Sequence, residues 1–256
     1  MKIAALYDIH GNFPALKAVL NELKTIQPDL IIVGGDIVSG PMPVQALDCL
    51  LRLRKRTNVN FIRGNGDREV VEASRGLKLP QLSDQGRQNQ QWVANTLTAR
   101  RLEFLSDLQS TTEIHTKNLG DLLFCHAAPE SDADIFTPMS PKKWLKTLFA
   151  HVNQPIVVCG HTHMQFKIEL GKTCIMNAGS VGMPFAKRPD AYWLLINSSD
   201  GIKFKQTQYD FGRAAKDIGK SNYPAADDFV KNNLLHIPNE EESMALLEKI
   251  SKNRLK

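Results

Sequence analysis

Residues 3–12 read Ile3-Ala4-Ala5-Leu6-Tyr7-Asp8-Ile9-His10-Gly11-Asn12, and the way this stretch ends decides the fold. The apolar run Ile3–Tyr7 predicts a buried strand. It stops at an acid, then one residue, then an imidazole, then glycine and asparagine. A carboxylate and an imidazole two residues apart, just past a strand's carboxyl end, can both turn toward one point above a sheet. Open α/β sheets place their sites there, and a divalent cation takes such oxygen and nitrogen donors.

The pattern recurs downstream. Asn12 is an N-cap, Pro14 lies near the first helical position, and Ala15, Leu16, Val19, Leu20 and Leu23 follow at helical spacing. Pro28-Asp29 breaks that helix. Leu30-Ile31-Ile32-Val33 is a second buried strand, ending in Gly34-Gly35-Asp36. Pro43 opens a second helix with Val44, Leu47, Leu50 and Leu51 on one face. Val59–Ile62 is a third strand, followed by Gly64-Asn65-Gly66-Asp67. Strands alternating with helices over short connections predict a parallel sheet with right-handed crossovers.

Residues 68–110 are polar and predict a helical insertion beside the site. Thr111–Thr116 and Asp121–Cys125 predict two strands, the second running into His126. Ser140-Pro141 starts a helix bearing Trp144, Leu145, Leu148 and Phe149. Ile156–Cys159 is another buried strand, ending in Gly160-His161-Thr162-His163. Strands at 165–170, 173–176, 192–196 and 202–208 follow, with a small-residue loop at Asn177–Gly182 between them. The tail from Phe211 is charged and helical, with Met244, Leu246, Leu247 and Ile250 predicting an amphipathic helix that packs back on the body. We expect residues 1–210 to form one domain and 211–256 a tail on the same domain. Mixed sheets with helices outside give an α/β (α+β) class.

The chain has 256 residues, 42% hydrophobic and 23% charged, with a net charge of +5. That length buries a sizeable core. The mild positive charge suits phosphate-bearing molecules without demanding nucleic acid. The basic cluster Arg52, Arg54, Lys55 and Arg56 reads as a solvated helix end whose cations complement the dipole. No cysteine pair has the CxxC spacing, and Cys125, Cys159 and Cys174 sit in apolar runs, so reduced thiols and a cytoplasmic setting are expected. The N-terminus enters a strand directly, so no signal peptide is expected, and no apolar run approaches the roughly 20 residues of a membrane span.

Five apolar strands thus end in metal-ligand types: Asp8 with His10, Asp36, Asn65, His126, and His161 with His163. These seven groups offer nitrogen and oxygen donors and no thiolate. They suit two divalent ions sharing one carboxylate: Mn, Fe, Zn, Ni or Co, with Mn favoured. Two ions roughly 3.5–4 Å apart hold a water between them, lower its pKa and clamp phosphoryl oxygens.

The chain resembles the calcineurin-like metallophosphoesterase superfamily, whose pattern is D-x-H, G-D, G-N-H-[DE], a lone H, then G-H-x-H. The matches are Asp8-Ile9-His10, Gly35-Asp36, Gly64-Asn65-Gly66-Asp67, His126 and Gly160-His161-Thr162-His163. The loop Asn177–Gly182 resembles the small prokaryotic, phosphodiesterase-like branch. The resemblance implies a four-layer αββα fold, a mixed-sheet β-sandwich flanked by helices on both faces. It implies Asp8, His10 and His163 on a first metal, Asn65, His126 and His161 on a second, and Asp36 bridging both. A bridging hydroxide would attack phosphorus in line with the leaving group.

One position departs from the family pattern. Gly66 stands where most members carry the histidine that stabilises the transition state or protonates the leaving oxygen. Losing a general acid typically costs about 10²–10⁴-fold, so good leaving groups are favoured. The expected function is hydrolysis of a phosphodiester or phosphoanhydride, in a small nucleotide such as a dinucleoside polyphosphate or a cyclic nucleotide. The alternatives are a broad phosphomonoesterase or protein phosphatase, and a non-catalytic metal-binding interaction module. A nuclease ranks lower, because no basic groove with interleaved aromatics is visible. Asp67 is expected to brace the ligand loop. Asn12 is expected to cap its helix and contact phosphate, and Arg68 to clamp phosphate. His115, His151 and His236 match no motif and are read as structural or surface groups.

Overall fold

The computed structural model describes residues 1–254; the last two residues of the expected tail lie outside the described residues. The strands are β1 (Lys2–Leu6), β2 (Leu30–Val33), β3 (Val59–Phe61), β4 (Thr111–Thr116), β5 (Gly120–Cys125), β6 (Ile156–Cys159), β7 (Gln165–Leu170), β8 (Thr173–Ala178), β9 (Ala191–Asn197) and β10 (Gly201–Thr207). The helices are α1 (Phe13–Ile26), α2 (Pro43–Arg54), α3 (Asn65–Ser74), α4 (Asp84–Thr96), α5 (Ala99–Ser106), α6 (Lys142–Leu148), α7 (Phe211–Gly219), α8 (Ala226–Val230) and α9 (Glu240–Arg254). A π-helical turn, Lys231–Leu235, follows α8.

Two five-stranded mixed sheets form, in the orders β10-β9-β1-β2-β3 and β4-β5-β6-β8-β7. β1 is parallel to β2, from Ile3 opposite Leu30 to Leu6 opposite Val33, and antiparallel to β9. In the second sheet β6 runs parallel to both β5 and β8. A strand buried on both faces reads as a continuous apolar run, and β1 shows why. Ile3, Ala5 and Tyr7 point into the layer between the sheets, against Leu122, Phe124, Val158 and Met176. Ala4 and Leu6 point outward under Leu16 and Val19 of α1 and Leu47 and Leu50 of α2. On the far side Leu123, Cys125, Val157, Cys159 and Ile175 meet Leu145 and Phe149 around α6, with Met244 and Leu247 of α9. The result is the αββα sandwich.

Local signals set the helix ends. Asn12 Oδ1 accepts from Ala15 N at 3.2 Å, and α1 stops at Gln27, a left-handed residue with φ 51°. The helical insertion begins three residues earlier than expected, because α3 starts inside the Gly64–Asp67 loop at Asn65. The tail helix α9 differs more. Leu246 is 58% exposed, while Ser243, Glu248 and Ser251 are buried. The cause is the loop beneath the helix: the hydroxyls of Thr137 and Ser140 donate to Glu248 Oε1, and Ser251 Oγ donates to Ile135 O at 2.9 Å. A polar loop requires a polar helix face. Among the described residues no helix is long and apolar enough to cross a membrane.

Candidate metal centre

The strand ends turn in one unusual way. Asp8, His10, Asp36, His161 and His163 all adopt positive φ, between 47° and 68°. A left-handed non-glycine residue costs about 1–3 kcal/mol, with Asp and His tolerating it better than most. The surroundings enforce it. His10 N donates to Asp36 O at 2.8 Å, Gly160 N to His126 O at 2.8 Å, and Gly182 N to Asp8 O at 2.9 Å. Ser180 Oγ also donates to Asp8 O at 2.7 Å, so the small-residue loop closes over β1. Gly160 lets the chains approach: a β-carbon there would fall 2.4 Å from Asp8 Oδ2.

These turns bring the predicted residues together. Asp8 Oδ2 accepts from His161 N at 2.8 Å. Asp8 Oδ1 is buried without a hydrogen-bond partner, and lies 3.4 Å from His163 Nε2 and 3.8 Å from both His10 Nε2 and His126 Nε2. Asp36 offers Oδ2 to His10 Nε2 at 3.5 Å and Oδ1 to His126 Nε2 at 3.6 Å. Asn65 turns its amide to His126 Nε2 at 3.2 Å and His161 Nδ1 at 3.0 Å. With NH₂ inward that amide donates to both rings; with oxygen inward it joins two imidazole nitrogens as a third donor to a cation.

Neighbouring carbonyls fix the tautomers. His10 Nδ1 donates to Ser39 O at 3.0 Å and His126 Nδ1 to Gly34 O at 2.8 Å, so both rings present Nε2 lone pairs inward. Two sets of donors could each hold an ion: Asp8, His10 and His163, and Asp8, Asp36 and His126. Asp8 belongs to both, but one of its oxygens is occupied by His161 N. Asp36 presents one oxygen to each side.

The electrostatics suit a cation. Burial, with the charge of His126, pushes the His161 pKa down to about 4, and burial lowers that of His10. Burial opposes charge on Asp8, yet the nearby charges of His163, His126 and His10 outweigh it and hold the carboxylate far below its ordinary value. Burial also works against protonation of His126, but Asp36 and Asp8 outweigh it and raise its pKa. Metal ligation requires neutral imidazoles beside ionised carboxylates; His161 and His10 are shifted that way, and His126, beside two carboxylates, is shifted the other way. His163 Nε2 also lies 3.0 Å from His10 Nε2, while His161 Nε2 and His163 Nδ1, the ring nitrogens turned away from these partners, are buried without a hydrogen bond.

The supporting residues divide clearly. Asp67 is fully buried and accepts from Ile37 N at 2.9 Å, Val38 N at 3.3 Å and Gly64 N at 3.3 Å. It staples the Asp36 loop to the Asn65 loop, while burial and the Asp36 charge push its pKa up to about 7. Asn12 is also fully buried, and its amide is committed to Ala15 N, Gly182 O and Tyr209 Oη. It caps α1 and has no group left for phosphate. Arg68, expected to clamp phosphate, is instead bound to Asp132 through Nε at 2.8 Å and Nη2 at 2.9 Å, and to Glu72 through Nη1. A guanidinium already holding two carboxylates is not a free anion site. His115, His151 and His236 are exposed, outside the cluster. Ser39 and Asp132 carried no motif; their parts appear only in the folded contacts.

The model of the calcineurin-like phosphoesterase superfamily domain matches residues 1–200. An uncharacterised protein of Methanocaldococcus jannaschii is 27% identical over 239 residues, covering 87% of this chain and 93% of its own length. Two solved structures share the fold. A hypothetical protein of Pyrococcus horikoshii superposes with a TM-score of 0.79 at 20% identity, covering 93% of this chain and 99% of that one. A metallophosphoesterase from Sphaerobacter thermophilus gives 0.71 at 21% identity, covering 90% and 97%. With most of its length matched by the family model, the chain belongs to the calcineurin-like phosphoesterase superfamily and is a metal-dependent phosphoric ester hydrolase.

Proposed function

We propose that the chain is a two-metal phosphoesterase that cleaves a phosphodiester or phosphoanhydride in a small nucleotide. The observation that carries this reading is Asp8 Oδ1, a buried carboxylate oxygen with no donor, ringed by three imidazole nitrogens at 3.4–3.8 Å. Asp8, His10 and His163 would hold one divalent ion, and Asn65, His126 and His161 the other, with Asp36 between them. Mn²⁺ is the favoured ion. When bound, such a pair lowers the pKa of a shared water and neutralises charge on the phosphoryl oxygens.

The protein's own groups supply orientation. Ser39 O and Gly34 O hold two imidazoles with Nε2 inward. Gly66 N aims Asp36 by donating to Oδ1 at 2.7 Å. Asp67 locks the two ligand loops together. No side chain at position 66 can protonate a leaving oxygen, which supports the preference for diesters and anhydrides over alkyl monoesters. Four free cysteines, two of them fully buried, support a reducing, cytoplasmic setting.

The test compares Mn²⁺-loaded protein on bis(p-nitrophenyl) phosphate and p-nitrophenyl phosphate, with metal counted by elemental analysis. Two ions per chain and faster diester turnover are expected. A strong monoester preference would move the reading to a phosphomonoesterase.

A further inference from the structure

Gly66 leaves a place beside the proposed metals, and Ser39 stands in it. A β-carbon on Gly66 would fall 2.8 Å from Ser39 Cβ. Ser39 is partly exposed. The residues behind it are not: Gln90 is 6% exposed and Glu69 is 4% exposed. A fixed polarity of hydrogen bonds runs through them. The Glu69 carboxylate accepts from Gln81 Nε2 at 3.2 Å and from Gln90 Nε2 at 3.1 Å. Burial raises the Glu69 pKa and the two amide donors work against that rise; both carboxylate oxygens are engaged as acceptors, which leaves Gln90 its NH₂ on this side. Gln90 therefore turns its NH₂ to Glu69 and its carbonyl oxygen to Ser39. That oxygen only accepts, and Ser39 Oγ donates to it at 3.1 Å. A hydroxyl carries one proton. With that proton held by Gln90, the partly exposed Ser39 hydroxyl has only lone pairs left for another neighbour.

We infer that Ser39 is a specificity-determining residue, an acceptor for a hydroxyl that the substrate carries beside its scissile phosphoryl group. The inference rests on the phosphoesterase function proposed above. The substrate class is a phosphodiester with a vicinal hydroxyl, as in a ribonucleoside 3′-phosphodiester, whose product is the ribonucleoside 3′-monophosphate. Bare phosphoryl oxygens would set lone pairs against lone pairs at this point. Gln90 is a positioning residue that acts through Ser39.

The experiment measures binding of adenosine 3′-monophosphate and 2′-deoxyadenosine 3′-monophosphate to the full Mn²⁺-loaded chain by calorimetry. Bis(p-nitrophenyl) phosphate turnover is followed on the same preparation. The ribonucleotide should bind about fivefold to tenfold tighter, the size of one neutral hydrogen bond. The preference should fall to about one in Ser39→Ala, weaken in Gln90→Leu, and persist in Ser39→Thr, which keeps the hydroxyl. None of these changes removes the Ser39 carbonyl that orients His10. Ser39→Thr against wild type still decides the matter if the alanine variant does not fold: a preference lost with the hydroxyl present overturns the inference. Equal affinities in the wild type, or an undiminished preference in Ser39→Ala, also overturn it. Absence of turnover on any ester overturns the phosphoesterase reading and this inference with it; turnover without a ribose preference overturns this inference alone.

Discussion

Gly66 donates its backbone N–H to Asp36 Oδ1 at 2.7 Å, and a β-carbon on Gly66 would lie 3.0 Å from the same oxygen. Restoring the family histidine is therefore not a simple addition. Gly66→His alone should lose about 1–3 kcal/mol by overpacking against Ser39, and should weaken metal binding by displacing Asp36. Adding Ser39→Gly should recover much of that loss, a non-additive pair. Thermal melting of the two single variants and the double variant checks this. Additive losses would show that the two positions do not compete for space.

Asp36→Asn should remove the charge placed between the two sides. Metal affinity should fall by at least the roughly 10–100-fold that follows loss of an outer partner, and activity should be abolished. Elemental analysis and diester turnover read the two effects. Wild-type activity in this variant would remove Asp36 from the site.

Asp132→Ala should cost about 1–3 kcal/mol at pH 7, the worth of charged hydrogen bonds, with denaturant unfolding as the measure. Burial alone would raise the Asp132 pKa; the hydrogen bonds and charge of Arg68 outweigh it and hold it below the ordinary value. A carboxyl with a lower pKa when folded adds stability above its unfolded pKa, near 4, and loses it as pH falls through the folded value. The gap between wild type and variant should thus be constant from pH 5 to 8 and shrink below about pH 4. A gap that persists at pH 3 would mean the charge is not its source.

Glu248→Ala should destabilise the chain by about 1–3 kcal/mol, because two buried hydroxyls lose their acceptor. Leu246→Ala should stay within about 0.5 kcal/mol, since that side chain is exposed. Hydropathy alone predicts the reverse order. Unfolding of both variants under the same conditions settles it.

The sandwich and the ligand cluster were legible because both depend on short-range pattern. An apolar run ending in Asp or His reports a strand and its tip at once, and it did so at Asp8, Asp36, His126 and His161. Pairings between polar groups far apart in the chain leave no such mark. Arg68 looks like a phosphate clamp until Asp132, 64 residues away, is seen to hold it. Asn12 looks free to bind until Tyr209 and Gly182 meet its amide. Ser39, Gln90 and Glu69 belong to three separate segments, and their polarity emerges only from contact. The expected apolar face of α9 does pack back through Met244 and Leu247; the exposure of Leu246 and the burial of Glu248 were hidden for the same reason, since the partner there is a loop of hydroxyls, which no helical period reveals.

Where the strands lie in the chain sets the order in which the centre can be assembled. Asp8, His10, Asp36 and Asn65 leave the ribosome first, on β1 and the loops after β2 and β3. The strand at the middle of their sheet still lacks its neighbour β9, which comes only with residues 191–197. His126, His161 and His163 arrive on the other sheet, after β5 and β6. A nascent chain therefore exposes half a chelate on an unfinished sheet, and the rest is delivered by a layer not yet made. A metal held by ligands from both groups would tie the two sheets together along a shared edge, and the full set of ligands exists only once residue 163 has been made.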